Sequence, residues 1–332
     1  MEQTFAEQLA EAQRPRPRSV LRKEGCSRYA LGTERWRRTS RGLYVPGGLD
    51  PTPVQRILEA AALMPPGSTL GGWAAAYAHG AFQLDGLGPR MVPQPVVICL
   101  PRALHRPPLP GVRYLRPLLT EVEQVDVAGL SFTSALRTAL DLACWATDLT
   151  EAVVALDVLL QAGLVGPVDL AQASATLDGR RGARQARAAI GLARPGARSP
   201  GETRLRMLYV LGVGAPTPLI NPQVTDLSGR LLGLPDLLDP EAGLVLEYDG
   251  STWAGSVRTA GHRDAGQHRE DNVREERFER TGLRVVRADG SDVCSYPRLL
   301  TRRMTAARTE GLARDRREDR WRVRPPRVVA SD

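Results

Sequence analysis

The chain has 332 residues, a formal net charge of +8 and a pI near 9.8, so it is long enough for two or three domains. Its hydrophobic content of 42% supports packed cores, whereas an aromatic content of 5% argues against an extended base-stacking surface. It has no apolar run of membrane-spanning length, no signal-peptide pattern and no paired cysteine spacing, so we expect a cytoplasmic protein without a membrane partner.

The positive charge is concentrated near the N-terminus. Residues 14–41 contain ten basic residues against only Glu24 and Glu34, which gives this segment the same excess of +8 as the whole chain. Clustered arginine suits the phosphate backbone of nucleic acid. A solvated basic face is an equally consistent interpretation, because charged runs are usually only hydrated.

Within this segment, residues 35–46 alternate in polarity around one glycine, which predicts a short hairpin. Residues 18–48 resemble the wing of the winged-helix domain found in abortive-infection type IV antitoxins, which are DNA-binding regulators. The resemblance implies a basic winged-helix-like segment over residues 1–50. It also implies DNA contacts from the arginines of the hairpin, which are Arg35, Arg37, Arg38 and Arg41. The prolines of residues 14–18 predict an abbreviated recognition helix.

Residues 51–193 read as a mixed α/β middle region. Helical periodicity and strand-type runs alternate along it. The predicted helices are 53–64, 68–80, 133–145 and 150–162, and the predicted strands are 94–100 and 111–116. Residues 194–200 then read as a linker because they are rich in proline and glycine.

The most informative segment is 233–250, because Pro240-Glu241-Ala242-Gly243 predicts a turn between two apolar runs. That turn pairs Asp239 with Leu244 and therefore sets Asp236 opposite Glu247. Asp249 falls on the same face, two residues beyond Glu247. Opposed anions destabilise a sheet unless a cation neutralises them, and carboxylate ligands favour magnesium or manganese. The alternative is that these acids lie at a solvated strand end.

Two further segments frame this hairpin. Ser199-Pro200-Gly201-Glu202 fits the start of a helix, with Ser199 as the N-cap, so capping is a sufficient role for Glu202. Residues 267–281 form a highly charged helix candidate that ends at Gly282. Beyond residue 305, we expect an arginine-rich tail that frays after a last helix.

The motifs of residues 199–305 together resemble a nuclease-like family. They are Pro235-Asp236, Glu247-Tyr248-Asp249-Gly250, Arg274 with Phe278 and Gly282, and Leu283 to Arg287. The segment is similar to the domain of unknown function related to very-short-patch-repair endonucleases, within the PD-(D/E)XK superfamily. The resemblance implies a restriction-endonuclease-like mixed sheet flanked by helices and a metal-dependent DNA-cleaving site. In that site Asp236 and Glu247 would bind the metal, and Asp249 and Glu202 would be assisting acids.

Two departures keep a second interpretation open. The superfamily's usual lysine position is Asp249 here, the only lysine of the chain is Lys23, and Trp253 replaces a histidine common in the related family. His262 or His268 could substitute, as could Arg269 or Arg274, since an arginine can stabilise a phosphate. The leading hypothesis is a magnesium- or manganese-dependent DNA endonuclease. The alternatives are a non-enzymatic DNA-binding regulator and, less specifically, an RNA-processing factor or a scaffold for a protein partner or a second copy.

Overall fold

A computed structural model describes residues 3–250 and 275–324. The protein is an α/β protein that divides into two compact units. The first unit comprises Met1–Gly88, Pro93–Thr147 and Ala162–Gly191. The second comprises Pro89–Val92, Asp148–Gln161 and Leu192–Asp332. No helix in the described ranges is both long and apolar enough to cross a membrane.

The first unit begins with the basic segment. Its elements are α1 (Phe5–Glu11), β1 (Arg16–Pro17), α2 (Arg18–Lys23), β2 (Trp36–Ser40) and β3 (Leu43–Pro46). The three strands form an antiparallel sheet in the order β1-β3-β2, so the hairpin expected over residues 35–46 is present. Between α2 and β2 the only described helical segment is a 3-10 turn at Ala30–Gly32.

The rest of the first unit surrounds a five-stranded sheet of order β6-β5-β4-β8-β7. Its strands are β4 (Thr69–Gly71), β5 (Val96–Cys99), β6 (Val112–Leu115), β7 (Gln124–Val127) and β8 (Leu130–Thr133). Its helices are α3 (Pro53–Ala61), α4 (Trp73–Ala78), α5 (Ala135–Trp145), α7 (Pro167–Ala173) and α8 (Ala183–Leu192). Side chains from α3, α4 and β5 share one apolar core with Phe132.

The helix expected over residues 68–80 is wrong in its first half. Residues Thr69–Gly71 form β4, which pairs with β5 on one side and β8 on the other. Gly72 then adopts a φ of +62° and ends the strand before α4 begins at Trp73. Sheet pairing therefore overrides the local helical pattern at this point.

The first α-helix of the second unit is α6 (Leu149–Gln161), which lies within the expected middle region of residues 51–193. Its grouping has a physical cause, because Asp157 is buried on α6 and forms an ion pair of 2.7 Å with Arg206 of α9 (Pro200–Met207). Thr203 donates a hydrogen bond of 2.9 Å to the same carboxylate. The division therefore groups α6 with the residues from Leu192 onward, although α6 precedes them in the sequence.

A four-stranded mixed sheet of order β14-β13-β12-β9 forms the centre of this unit. Its strands are β9 (Leu219–Ile220), β12 (Leu237–Asp239), β13 (Leu244–Asp249) and β14 (Arg284–Asp289). Only the β13 and β14 pair is parallel. Leu237 and Leu246 face a core shared with α9 and α11 (Pro297–Leu312), whereas Leu238 and Val245 face a second core that contains Phe278. Helix α10 (Gly290–Cys294) follows β14 directly.

The expected frayed tail is wrong for the described residues up to 324. Helix α11 continues to Leu312, and β15 (Trp321–Val323) joins β10 (Val224–Asp226) and β11 (Leu231–Gly233) in an antiparallel sheet. Val224 pairs with Val323 in this sheet. The indole of Trp321 is partly buried against the same apolar cluster that receives Val245. Packing of these apolar side chains orders residues 321–323, although the arginine content of the segment predicts a frayed tail.

Candidate functional site

The β12–β13 hairpin has the register that its turn residues predict. Asp239 pairs with Leu244, and Leu237 pairs with Leu246. The next positions along the two strands are Asp236 and Glu247, which therefore lie at the same end of the hairpin. Oδ2 of Asp236 accepts a hydrogen bond of 2.8 Å from the backbone N–H of Tyr248, which orients this carboxylate against β13.

Asp239 fixes the turn, a role that the sequence analysis did not assign. Its Oδ1 accepts hydrogen bonds from the backbone N–H groups of Glu241 and Ala242, at 2.9 and 3.1 Å. Its Oδ2 accepts from the hydroxyl of Tyr209 and from Nε of Arg308, the latter at 3.1 Å. The signal for the turn contacts was available, because an aspartate before a turn commonly bonds the backbone two residues on. The partners Tyr209 and Arg308 carried no such signal.

A close contact between α9 and β13 brings Glu202 to this end of the hairpin. A Cβ atom on Gly201 would lie 2.0 Å from Cε1 of Tyr248, so only glycine allows the ring to rest on the first turn of α9. The next residue of the helix is Glu202, and it is buried, with 6% of its surface exposed. The negative charge of Asp236 is close enough to add to the effect of burial on the pKa of Glu202.

Glu202 has the structural role that its sequence context predicts. The Ser199 hydroxyl caps the helix by accepting the Glu202 N–H at 3.2 Å, and it donates back to the carboxylate at 3.1 Å. The Arg198 backbone N–H and the Asn221 amide also donate to this carboxylate, at 2.8 and 3.3 Å. Burial raises the pKa of Glu202, and the neighbouring charge of Asp236 raises it further, while these hydrogen bonds oppose the shift.

Glu247 has a cationic neighbour that the sequence analysis missed. In the parallel pairing of β13 and β14, Glu247 is opposite Arg287 and Asp249 is opposite Asp289. Paired residues of neighbouring strands share a face, so Arg287 lies beside Glu247, which is 8% exposed. Nε of Arg287 also forms an ion pair of 2.9 Å with Glu275. Asp289 has a structural role, because its Oδ1 caps α10 through the N–H groups of Ser291 and Asp292.

Carboxylate oxygens lie at this end of the hairpin, and they are the ligands that hard cations such as magnesium prefer. Asp236 and Glu247 supply carboxylate oxygens at neighbouring positions, and the pKa of Glu202 is raised by burial and by the negative charge of Asp236. Within the described residues, no three His, Cys, Asp or Glu side chains are grouped as a metal site. Magnesium is usually bound by one or two carboxylates and keeps several waters, so it does not require a third side-chain ligand.

The expected nucleic-acid-binding arginines fall into two groups. Arg35, Arg38 and Arg41 are exposed, and Nε of Arg38 bonds the Ser40 carbonyl oxygen at 3.1 Å. Arg37 points inward and donates two hydrogen bonds to Glu59, at 2.7 and 3.1 Å, so its guanidinium connects β2 to α3. The remaining candidates, Arg269 and Arg274, lie outside the described residues, as do Trp253, His262 and His268.

Comparison with known proteins gives no assignment for this arrangement, since no family model, curated protein or solved structure matches the chain.

Proposed function

We propose that the protein is a metal-dependent phosphodiesterase that acts on DNA, with Asp236 and Glu247 as the ligands of a magnesium or manganese ion. The observation that carries the proposal is the placement of these two carboxylates at one end of an antiparallel hairpin, with the buried Glu202 next to Asp236. Keeping several acids together without a cation is unfavourable. A bound divalent ion supplies Lewis-acid polarisation of a phosphate oxygen.

The residues around the carboxylates have separate positioning roles in this proposal. The Tyr248 N–H holds one oxygen of Asp236, so the ligand enters the site in a fixed orientation. Hydrogen bonds with Arg198, Ser199 and Asn221 hold the Glu202 carboxylate, and burial and the nearby charge of Asp236 raise its pKa. Asp249 adds a further acid at the end of the same strand.

Arg287 takes the charge-stabilising role for which this chain has no lysine. It is paired with Glu247 in the sheet, and a guanidinium can stabilise negative charge that develops on a phosphate. Arg35, Arg38 and Arg41 of the N-terminal hairpin supply phosphate contacts that hold the nucleic acid to the protein.

The test is cleavage of duplex DNA, single-stranded DNA and RNA by the purified protein with magnesium, manganese or EDTA. We expect metal-dependent cleavage of DNA that is lost in Asp236→Asn and Glu247→Gln. Glu241→Gln is the matched control, because Glu241 is an exposed acid at the turn of the same hairpin. Arg287→Lys should retain more activity than Arg287→Gln. Cleavage that survives EDTA, or that survives both ligand substitutions, would refute this assignment.

A second candidate function is a non-enzymatic DNA-binding regulator of the antitoxin type. It is favoured by the absence of a three-donor metal group in the described residues, and by basic residues that lie on a separate hairpin. It predicts DNA binding that is insensitive to Asp236→Asn and Glu247→Gln, with no cleavage under any metal condition. The same set of variants therefore distinguishes the two functions.

A further inference from the structure

The outer face of the N-terminal sheet carries a row of alternating cationic and aromatic side chains. Tyr44 of the central strand β3 pairs with Arg16 of β1 on one side and with Arg38 of β2 on the other. Directly paired residues share a face, and neighbouring strands are about 4.8 Å apart. The tyrosine ring is therefore flanked on both sides by arginine.

Trp36 adds a second aromatic side chain to this face. It precedes Arg38 by two residues, and the register of β2 and β3 is regular between them, because the shift occurs only after Arg38. The opposite face is the inner one, since Val45 is fully buried and Arg37 bonds Glu59. Trp36 and Tyr44 are both partly exposed.

The aromatic polar groups of this face have no hydrogen-bond partner among the described residues, and its arginines are only partly engaged. No described residue forms a hydrogen bond with the Trp36 indole N–H or with the Tyr44 hydroxyl, and neither atom is among the buried unsatisfied ones. In residues 3–250 and 275–324, Arg38 forms a side-chain hydrogen bond only through Nε, so no described residue bonds its two terminal nitrogens. Arg16 pairs with Glu24, but their side chains are 40% and 49% exposed, and such surface pairs contribute little.

We propose that this face binds unpaired nucleotides, with bases stacked on Trp36 and Tyr44 and phosphates held by Arg38 and Arg16. Stacking on an aromatic side chain contributes roughly 1–3 kcal/mol per base and tolerates any base, because every base has a π-face. In duplex DNA the base faces are already stacked on one another, so a duplex offers this face only its backbone charge. The ligand is therefore single-stranded nucleic acid.

The chemistry separates this ligand from an acidic peptide. A peptide carboxylate would engage the arginines but would gain nothing comparable from two partly exposed aromatic rings. The low overall aromatic content does not oppose the assignment, because two rings on one small sheet are sufficient for two bases. The inference shares the expectation of a nucleic-acid partner with the proposed function, and it does not depend on cleavage.

Binding is measured by fluorescence anisotropy of the full chain in EDTA, with a labelled 20-nucleotide mixed-sequence DNA strand, the RNA of the same sequence and the DNA duplex. We expect at least about tenfold tighter binding of the single strands than of the duplex. Tyr44→Leu and Trp36→Leu should each weaken single-strand binding by roughly 5- to 150-fold, which is the stacking energy converted to an affinity ratio. Tyr44→Phe should bind within about twofold of the natural chain, because it retains the ring.

The matched control is Tyr29→Leu, which removes an exposed tyrosine from the same basic segment but outside these strands and should leave affinity unchanged. A second measurement does not depend on the stability of any variant: an oligonucleotide with 5-iodouracil is photocrosslinked to the natural chain, and the adducts are mapped by mass spectrometry. We expect adducts at Trp36 or Tyr44. Equal or tighter binding of the duplex, no binding of any strand, or adducts only at other residues would overturn the proposal.

Discussion

Gly201→Ala tests the contact that places Glu202 beside Asp236. The added Cβ would lie 2.0, 2.2 and 2.7 Å from Cε1, Cζ and Cδ1 of Tyr248, whereas carbon atoms in favourable contact are about 3.5–4.0 Å apart. The helix and the ring must therefore separate by about 1.5 Å, the difference between these distances. Overpacking of this kind costs about 1–3 kcal/mol of unfolding free energy.

The assay is urea denaturation followed by circular dichroism, in which this loss should lower the midpoint by about 1 M for a slope of about 2 kcal/mol per M. Tyr248→Ala removes the ring, so Gly201→Ala should cost less in that background, with a coupling of about 0.5–3 kcal/mol in a double-mutant cycle. Gly191→Ala is the control, because nothing lies within 4 Å of its added Cβ. It should leave stability unchanged or raise it by up to about 1 kcal/mol.

The reasoning is refuted if Gly201→Ala is as stable as the natural chain, or if the cost is the same with and without the Tyr248 ring. Either result would mean that the first turn of α9 does not depend on the glycine to approach β13. The position of Glu202 would then need another explanation, such as its hydrogen bonds from Arg198 and Asn221 alone.

Two further predictions concern buried charges. Arg206→Met should destabilise the protein by about 3–5 kcal/mol, because it leaves the buried Asp157 without its ion pair. Arg280→Gln removes an exposed ion pair and should cost less than about 0.5 kcal/mol. Equal losses of stability in thermal unfolding of the two variants would contradict this prediction. Burial raises the pKa of Asp141 from 3.8 to about 6, against the opposing charge of Arg137. The folded state therefore binds an extra proton between these values, so a contribution of about 3 kcal/mol is fully present below pH 3.8 and is lost as the pH rises through 6. Asp141→Asn should flatten that part of the stability curve, and an unchanged slope between pH 4 and 7 would exclude Asp141 as its source.

The hairpin at residues 233–250 was predictable because its determinants are local. A proline, a glycine and an aspartate within five residues fix the turn, and a period of two then places every other side chain. The N-terminal hairpin follows from the same kind of signal, and its Gly42 does adopt a φ of +80°. The strands of the first unit at Val96–Cys99 and Val112–Leu115 were visible for the same reason, as short apolar runs between turn residues.

Contacts between distant segments were not predictable in this way. Nothing near Glu247 in the sequence indicates Arg287, because a parallel pair is joined by a long connection that carries no register signal. The inward direction of Arg37 depends on Glu59 of another element. The strand at Thr69–Gly71 reads as part of a helix until its neighbours on both sides are known. The metal, DNA and regulatory assignments stay predictions that the proposed experiments test.

The strand at Trp321–Val323 imposes an order on how the second unit is completed during synthesis. Its partner Val224–Asp226 is made about a hundred residues earlier. Until the later strand emerges, that partner can pair with β11 on one side, and its other edge stays open. Helix α6, made earlier still, carries a buried carboxylate whose arginine partner follows about fifty residues later. By the time β10 is made, Arg206 is already present to pair with Asp157, so the feature that remains incomplete is the open edge of this sheet. An unpaired strand edge is prone to aggregation until the last strand docks.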